Sequence, residues 1–317
     1  MRYQRWIAFV LSLTLVCAVP WVFAADDLPP VPDVDACGLR GWDEFYGYEY
    51  VIMGYYPYEA DGTPAPVLWQ VLDVDQDTGR ALLLTSYLVD VCQPIYCDDP
   101  AVANSKKYRR IDDYGESDMN VWLNETLFPR LLEGEPVIEA VTEEKYGRLY
   151  PLTDEELMTE KYGFPGVRYW AHPEKVTFAT PYTLSVKLHP NYGSRVNKDP
   201  DTGTSSYWAA ALKYPGGEYM QICGLDGHLS YGTLVRTTVG LRVALRLDIS
   251  RIQVVSGTGT IWDPCRLGLK EEGAIVTPLI HDEFPTPVPT TPKPRSGRKH
   301  ATPDPALATP VPTPSAP

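Results

Sequence analysis

The sequence predicts an α+β domain: short, twisted antiparallel strands, two flanking helices and long loops. Three observations predict it. Runs with strand-like patterning are short and bounded by Gly, Pro, Asn and Asp. Two capped helical stretches lie near the middle of the chain, with strands before and after them and no βαβ alternation. The hydrophobic fraction is 44%, enough to give the roughly 250 residues between the two chain ends a substantial core.

The elements follow in order. Tyr48 to Tyr56 reads as a first strand ending at Gly54-Tyr55-Tyr56-Pro57, and Val67 to Val74 as a second. The Asp-rich turn Asp75 to Gly79 joins it to a third, Arg80 to Ser86, as a hairpin. Residues 92 to 116 are polar and irregular. Ser117 is an N-cap, with Asp118 in the first turn, and Met119, Trp122, Leu123 and Leu127 recur at helical spacing as a buried face. Thr153 and Glu156 form a capping box for a second helix, preceded by Leu149 and Leu152 and ending near Tyr162-Gly163. The stretch from Gly163 to Thr204 is rich in Tyr, Pro, Asn and Gly and keeps no period. Strands are then expected at Ser206 to Leu212, Glu218 to Cys223, His228 to Tyr231, Val239 to Leu247 and Ile252 to Val255, with a Gly224-Leu225-Asp226-Gly227 turn in the second hairpin. No internal repeat is present.

The two ends have a different character. Arg2 and Arg5, an apolar run from Trp6 to Val19, the helix-breaking Pro20 and the small residue Ala24 have the order of a secretory signal peptide, assigned to residues 1–24. A membrane anchor, and a lipid-modified N-terminus at Cys17, are the competing readings. Residues 25–36 read as a linker, 37–270 as one globular domain, and 271–317 as a disordered, extended Pro/Thr-rich tail. The tail is a solubilising spacer or a wall-contacting stalk. No later segment is apolar enough to span a bilayer, so the expectation is a secreted, extracellular protein with no membrane insertion after cleavage. The formal charge of −13 argues against nucleic acid and anionic membranes as partners.

Export permits disulfides. Cys37 stands before the first strand and Cys265 after the last expected one, so a bridge between them would staple the domain's edges; Cys92 and Cys97 could close a local loop. Cys223 reads as a buried small residue. No His stands at ligand spacing from a cysteine pair, and no cofactor or metal is assigned. Asn197 to Gly203 resembles a calcium loop loosely and lacks the closing Glu.

Several segments together resemble a family of bacterial exported domains of unknown function. They are Gly54-Tyr55-Tyr56-Pro57, Trp69-Gln70-Val71-Leu72, Leu82-Leu83-Leu84-Thr85-Ser86, the run Ser117 to Asn124 with its Trp122-Leu123-Asn124, then Leu152 to Glu156, Tyr207-Trp208 and Gly240-Leu241-Arg242-Val243-Ala244-Leu245. They occur in the family's order across Tyr48 to Asp248. Met119, Pro151 and Val243 depart from its pattern but stay apolar. The closing strands also look like the C-type-lectin-like core shared by sulfatase-modifying factors. That resemblance implies a small twisted antiparallel sheet with two helices and long loops; function does not follow from it.

No His, Ser or Cys falls in a recognisable catalytic motif. Cys92 and Cys97 share the C-x4-C spacing of formylglycine-generating enzymes, but in the wrong third of the domain. Acidic pairs such as Asp112-Asp113 and Glu143-Glu144 read as solvated surface. The expected function is an extracellular, non-catalytic recognition module for a glycan or a cell-surface protein. A sulfatase-modifying-factor-like enzyme and a structural surface protein are the alternatives. Loops rich in Tyr and Trp offer flat apolar faces with polar edges. The candidate binding residues are therefore Tyr169, Trp170, Tyr182, Tyr192 and Tyr231, with core packing as the competing role, above all for Tyr182 and Tyr231.

Overall fold

The computed structural model describes residues 37–92, 112–186, 196, 198–215, 219–233 and 239–270. The leader, the linker, Cys97, Tyr192 and the Pro/Thr-rich tail lie outside them. Strands β1 (Glu49–Pro57), β2 (Pro64–Asp75) and β3 (Arg80–Thr85) form an antiparallel meander. With β11 (Ala244–Asp248), β12 (Ile252–Ser256) and β13 (Cys265–Leu269) they make a six-stranded sheet in the order β11-β3-β2-β1-β13-β12. A second sheet has the order β4-β10-β7-β8-β9, from β4 (Asp90–Cys92), β7 (Tyr207–Leu212), β8 (Tyr219–Cys223), β9 (Leu229–Thr233) and β10 (Val239–Leu241). The short strands β5 (Thr177–Phe178) and β6 (Thr204–Ser205) pair separately. The α+β class holds. Two pairings are parallel, β1 with β13 and β10 with β7, and the rest are antiparallel.

The first sheet is buried on both faces. Ala81 and Leu83 point into one core cluster and Leu82 and Leu84 into another, which is why β3 reads as an unbroken apolar run. The first cluster includes helix α1, residues 118–131. Ser117 caps it, its hydroxyl accepting from the Asn120 amide at 3.1 Å. Met119, Leu123 and Leu127 are fully buried. The helix widens into a π-turn at Leu123–Leu127 before Phe128–Leu131. Its last turn sits on a bulge in β1 between Ile52 and Tyr55. There Gly54 has φ +77°, and a β-carbon on it would lie 2.2 Å from the Leu131 carbonyl, so glycine is required twice over.

Four expectations are corrected. The second helix is instead two 3-10 turns, Glu156–Met158 and Glu160–Tyr162. Its capping box does form, with Thr153 N donating to Glu156 Oε2 at 2.9 Å and Glu156 N to Thr153 Oγ1 at 3.1 Å. Extension fails at Thr159, which is in extended backbone and turns its hydroxyl back onto the Glu155 carbonyl. The single strand expected from Val239 to Leu247 is two strands in different sheets. Thr85 holds the crossing between them, its hydroxyl accepting from Val243 N and its carbonyl from Arg242 Nε. Cys265 does not follow the last strand but opens β13. Finally, Cys265 is a free thiol 3.5 Å from Glu49 Oε1, so the expected Cys37–Cys265 bridge is not formed. The Cys37 carbonyl is held on Val254, whereas Cys265 packs on Gly257, three residues further along.

Candidate functional site

Two exposed aromatics of the irregular segment, Tyr169 and Trp170, lie where it is tied to the second sheet. Arg168 accepts from Leu229 N through its carbonyl at 2.7 Å, and His172 N donates to the Asp226 carbonyl at 2.7 Å. The segment is thus tied to the β8–β9 hairpin at both ends, and the residues between the ties bulge outward. Tyr169 is 73% exposed and Trp170 75%. The close approach depends on Gly227, where a β-carbon would fall 1.9 Å from the His172 carbonyl.

Side chains reinforce the clamp. Arg168 donates to Asp154 at 2.6 Å and to the Tyr231 hydroxyl at 3.3 Å. Lys175 is fully buried and donates to the Val167 carbonyl at 2.7 Å, while burial holds its ammonium below the usual lysine range. Its own carbonyl accepts from the Tyr207 hydroxyl at 2.8 Å. Lys213 spans the rings of Tyr219 and Tyr231, 5.4 and 5.6 Å from their centroids. Two flat rings are therefore presented on a backbone already fixed in place, which lowers the entropic cost of binding with them.

Asp154 is also part of the wall of a 430 Å³ cleft beside this face. The cleft runs over Ala210 and Leu212 of β7, with Tyr146, Tyr150, Glu144 and Glu156 around it. Arg246 lies 2.8 Å from Glu156 and 4.0 Å from Glu144, and Arg80 lies 2.7 Å from Glu144. The Tyr150 hydroxyl donates to Glu156 at 3.1 Å. These carboxylates are held by cations, and the arrangement offers fixed acceptors for hydroxyl or amine donors rather than a free acid–base pair.

The sequence candidates divide. Tyr169, Trp170 and Tyr231 come together, with Tyr231 half-buried and engaged by Arg168. Tyr182 does not join them: its amide donates to the Tyr58 carbonyl at 2.8 Å, and its ring meets that of Tyr56 edge-on at 6.0 Å, against the core. Tyr192 and Cys97 lie outside the described residues, as does the Cys92 side chain. Tyr207 and Trp208 are buried in β7. Cys223 is buried, and burial pushes its thiol up to about 11, the wrong direction for a nucleophile. The carboxylate of Asp199 accepts from the amides of Asp201 and Thr202, both at 2.8 Å, closing a turn. Among the described residues no group of three or more His, Cys, Asp or Glu could hold a metal ion, and no helix is long and apolar enough to cross a membrane.

Sequence reasoning missed two features. The cleft is assembled from residues 112–156, β7 and β11, and no local pattern announces it. Trp262, at the tip of the β12–β13 hairpin, is 91% exposed. The Gly257-Thr258-Gly259-Thr260 and Asp263-Pro264 steps around it were a readable turn signal. Against protein-family models, curated proteins and solved structures alike, the chain finds no match.

Proposed function

We propose that this protein is an exported, extracellular, non-catalytic recognition module for a glycan or a surface protein, with Tyr169 and Trp170 as the contact residues. The observation that carries this reading is their exposure on a clamped backbone. A mobile loop would have to be ordered on binding, whereas this segment is already hydrogen-bonded on both sides of the pair. Aromatic faces next to a cleft of fixed carboxylates suit ligands with flat C–H faces and many hydroxyl donors, and sugars have both.

The resemblance to the exported bacterial family, and through it to a C-type-lectin-like organisation, belongs to the same proposal. It is supported by the framework roles of the motif residues: Gly54 seats the helix, Ser117 caps it, Trp69 Nε1 donates to the Met53 carbonyl at 2.8 Å, and Arg242 crosses between the sheets. Long loops around the Asp226-Gly227 hairpin support it further.

The test is an array of glycans and surface proteins probed with the full chain and with Trp170→Ala. Retention by the native chain and loss by the variant, at unchanged Tm, is the expected outcome. Equal retention by both would remove Trp170 from the site. Turnover of any substrate that is abolished by thiol blockade would favour the sulfatase-modifying-factor alternative instead.

A further inference from the structure

Buried polar side-chain atoms without a hydrogen-bond partner are concentrated in one place. Six of the seven found among the described residues are Ser86 Oγ, Ser205 Oγ, Arg242 Nη1, His172 Nε2 and the two amide atoms of Gln221. All belong to the covering segment, to the second sheet beneath it, or to the seam between that sheet and the first. Gln221 shares a strand face with Cys223, whose thiol is 3.6 Å from the Lys175 carbonyl.

The seam is the most demanding part. Arg242 is only 2% exposed. Its Nε donates to the Thr85 carbonyl at 2.8 Å and its Nη2 to Gln70 Oε1 at 2.6 Å, and its guanidinium lies 5.5 Å from the Tyr207 ring centroid. No carboxylate pairs with it among the described residues, so a buried cation faces only neutral dipoles and a π-face. Such a charge is normally paired. A chain of contacts links the Arg242 side chain to two unsatisfied hydroxyls. Ser86 follows Thr85, its carbonyl accepts from Thr177 Oγ1 at 3.0 Å, and Thr177 faces Ser205 across the β5–β6 pair. The two N–H groups of one guanidinium nitrogen and two rotatable hydroxyls, all without a partner, are the donor inventory of an anion site.

We propose that the Arg242 seam binds a small monovalent anion, held by Arg242 Nη1 and the hydroxyls of Ser86 and Ser205. The anion supplies the negative charge this layer lacks and so couples the covering segment to the two sheets. A halide and a small carboxylate share this chemistry, and the experiment separates them.

The Tm of the full chain is followed as sodium gluconate is replaced by bromide, chloride or formate at constant ionic strength. A saturable rise with at least one of them is expected, formate alone indicating a carboxylate site. The Ser86→Ala/Ser205→Ala variant should need at least tenfold more anion for the half-maximal rise. Crystals of the native chain soaked in bromide should show an anomalous peak within hydrogen-bond distance of Arg242 Nη1 if the site takes halide. This arm needs no variant to fold. The proposal is overturned by equal Tm in all four salts with water at that position, by an unchanged anion response in the double variant, or by a bromide peak without any Tm rise, which would mark an adventitious ion only.

Discussion

The six-stranded sheet with its helix and the five-stranded sheet with its covering segment are built by opposite rules. In the first, polar groups that enter the interior are satisfied by protein with one exception among the described residues, the buried Tyr114 hydroxyl. Asn124, in the π-turn of α1, donates to the carbonyls of Asn120, Tyr146 and Leu149 at 3.0 to 3.1 Å and accepts from the amides of Arg148 and Leu149 at 2.7 and 3.0 Å. In and around the second, six polar atoms stay unsatisfied and two large aromatic rings face solvent. Near-complete internal satisfaction helps a framework specify one structure. Unmet buried donors and exposed rings are, on the proposed reading, left for something outside the chain. On that reading, the first region serves stability and the second recognition.

The sharpest way to break this contrast is Asn124→Ala. The substitution removes partners from several backbone groups of the 146–149 loop at once, most of them part-buried. It should cost roughly 4 kcal/mol, near the upper end for a single replacement. Urea unfolding of the full chain measures it. A loss within 1 kcal/mol would mean that water replaces Asn124 easily and that the first region is not the rigid one.

Second in size is a pH effect from the same sheet. Glu49 is buried beneath the β12–β13 hairpin, accepting from the Arg40 amide and the Cys265 thiol, with Tyr50 N donating to the Gly259 carbonyl alongside. Burial raises its carboxyl from 4.5 to about 7 despite those donors. The folded state therefore binds the proton more tightly than the unfolded one. The resulting stability is fully present below pH 4.5 and is lost as the pH rises through 7. The span corresponds to about 3 kcal/mol. Asp90, also raised chiefly by burial, adds a slope of the same sign. Glu49→Gln should flatten most of the decline between pH 4.5 and 7, read from urea midpoints. A variant that declines as steeply as the native chain would assign the slope elsewhere.

The two regions were not equally legible in the sequence. Period-two runs, an Asp-rich turn and a capped amphipathic helix are local signals, and they recovered β1 to β3 and the start of α1 within a residue or two, apart from β2, which runs three residues further at its start; the last turn of α1, to Leu131, lies beyond the named face. The Val239 to Leu247 run defeated the same logic. It holds no turn residue at its break, because Thr85, distant in sequence, makes the break by hydrogen bonding. Strand β13 was missed although it forms a hairpin with β12; its other partner, β1, lies at the far end of the domain. In the site, Tyr169 and Trp170 were readable as aromatics in an aperiodic stretch. The clamp of Arg168 on Asp154 and Tyr231 joins three segments, and composition carries no trace of it.

A smaller effect belongs to the platform itself. Tyr169→Ala and Trp170→Ala remove rings that are about three-quarters exposed, so Tm should stay within a degree or so. Each should weaken ligand binding by about 1 kcal/mol, roughly fivefold. Isothermal titration with whichever ligand the array identifies reads this directly. A fall in Tm without a change in affinity would turn both residues into packing elements and erase the contrast between the regions.

The smallest expected effect is the most discriminating. Trp262 is more exposed than either platform ring, yet it stands on the first sheet, at the tip of a hairpin fixed by Asp263, which accepts from Thr258 N at 3.0 Å both through its carbonyl and through its carboxylate. If exposure alone marked a contact residue, Trp262 would be the better candidate. The platform differs in having a second aromatic beside it, a polar cleft that shares Asp154 with its clamp, and a backbone clamped across two segments. Trp262→Ser should therefore leave ligand affinity unchanged and shift stability by no more than about 0.5 kcal/mol. The measurement is the same titration, run beside Trp170→Ala. Loss of binding in Trp262→Ser with retention in Trp170→Ala would move the recognition face to the β12–β13 tip and reverse the assignment of the two regions.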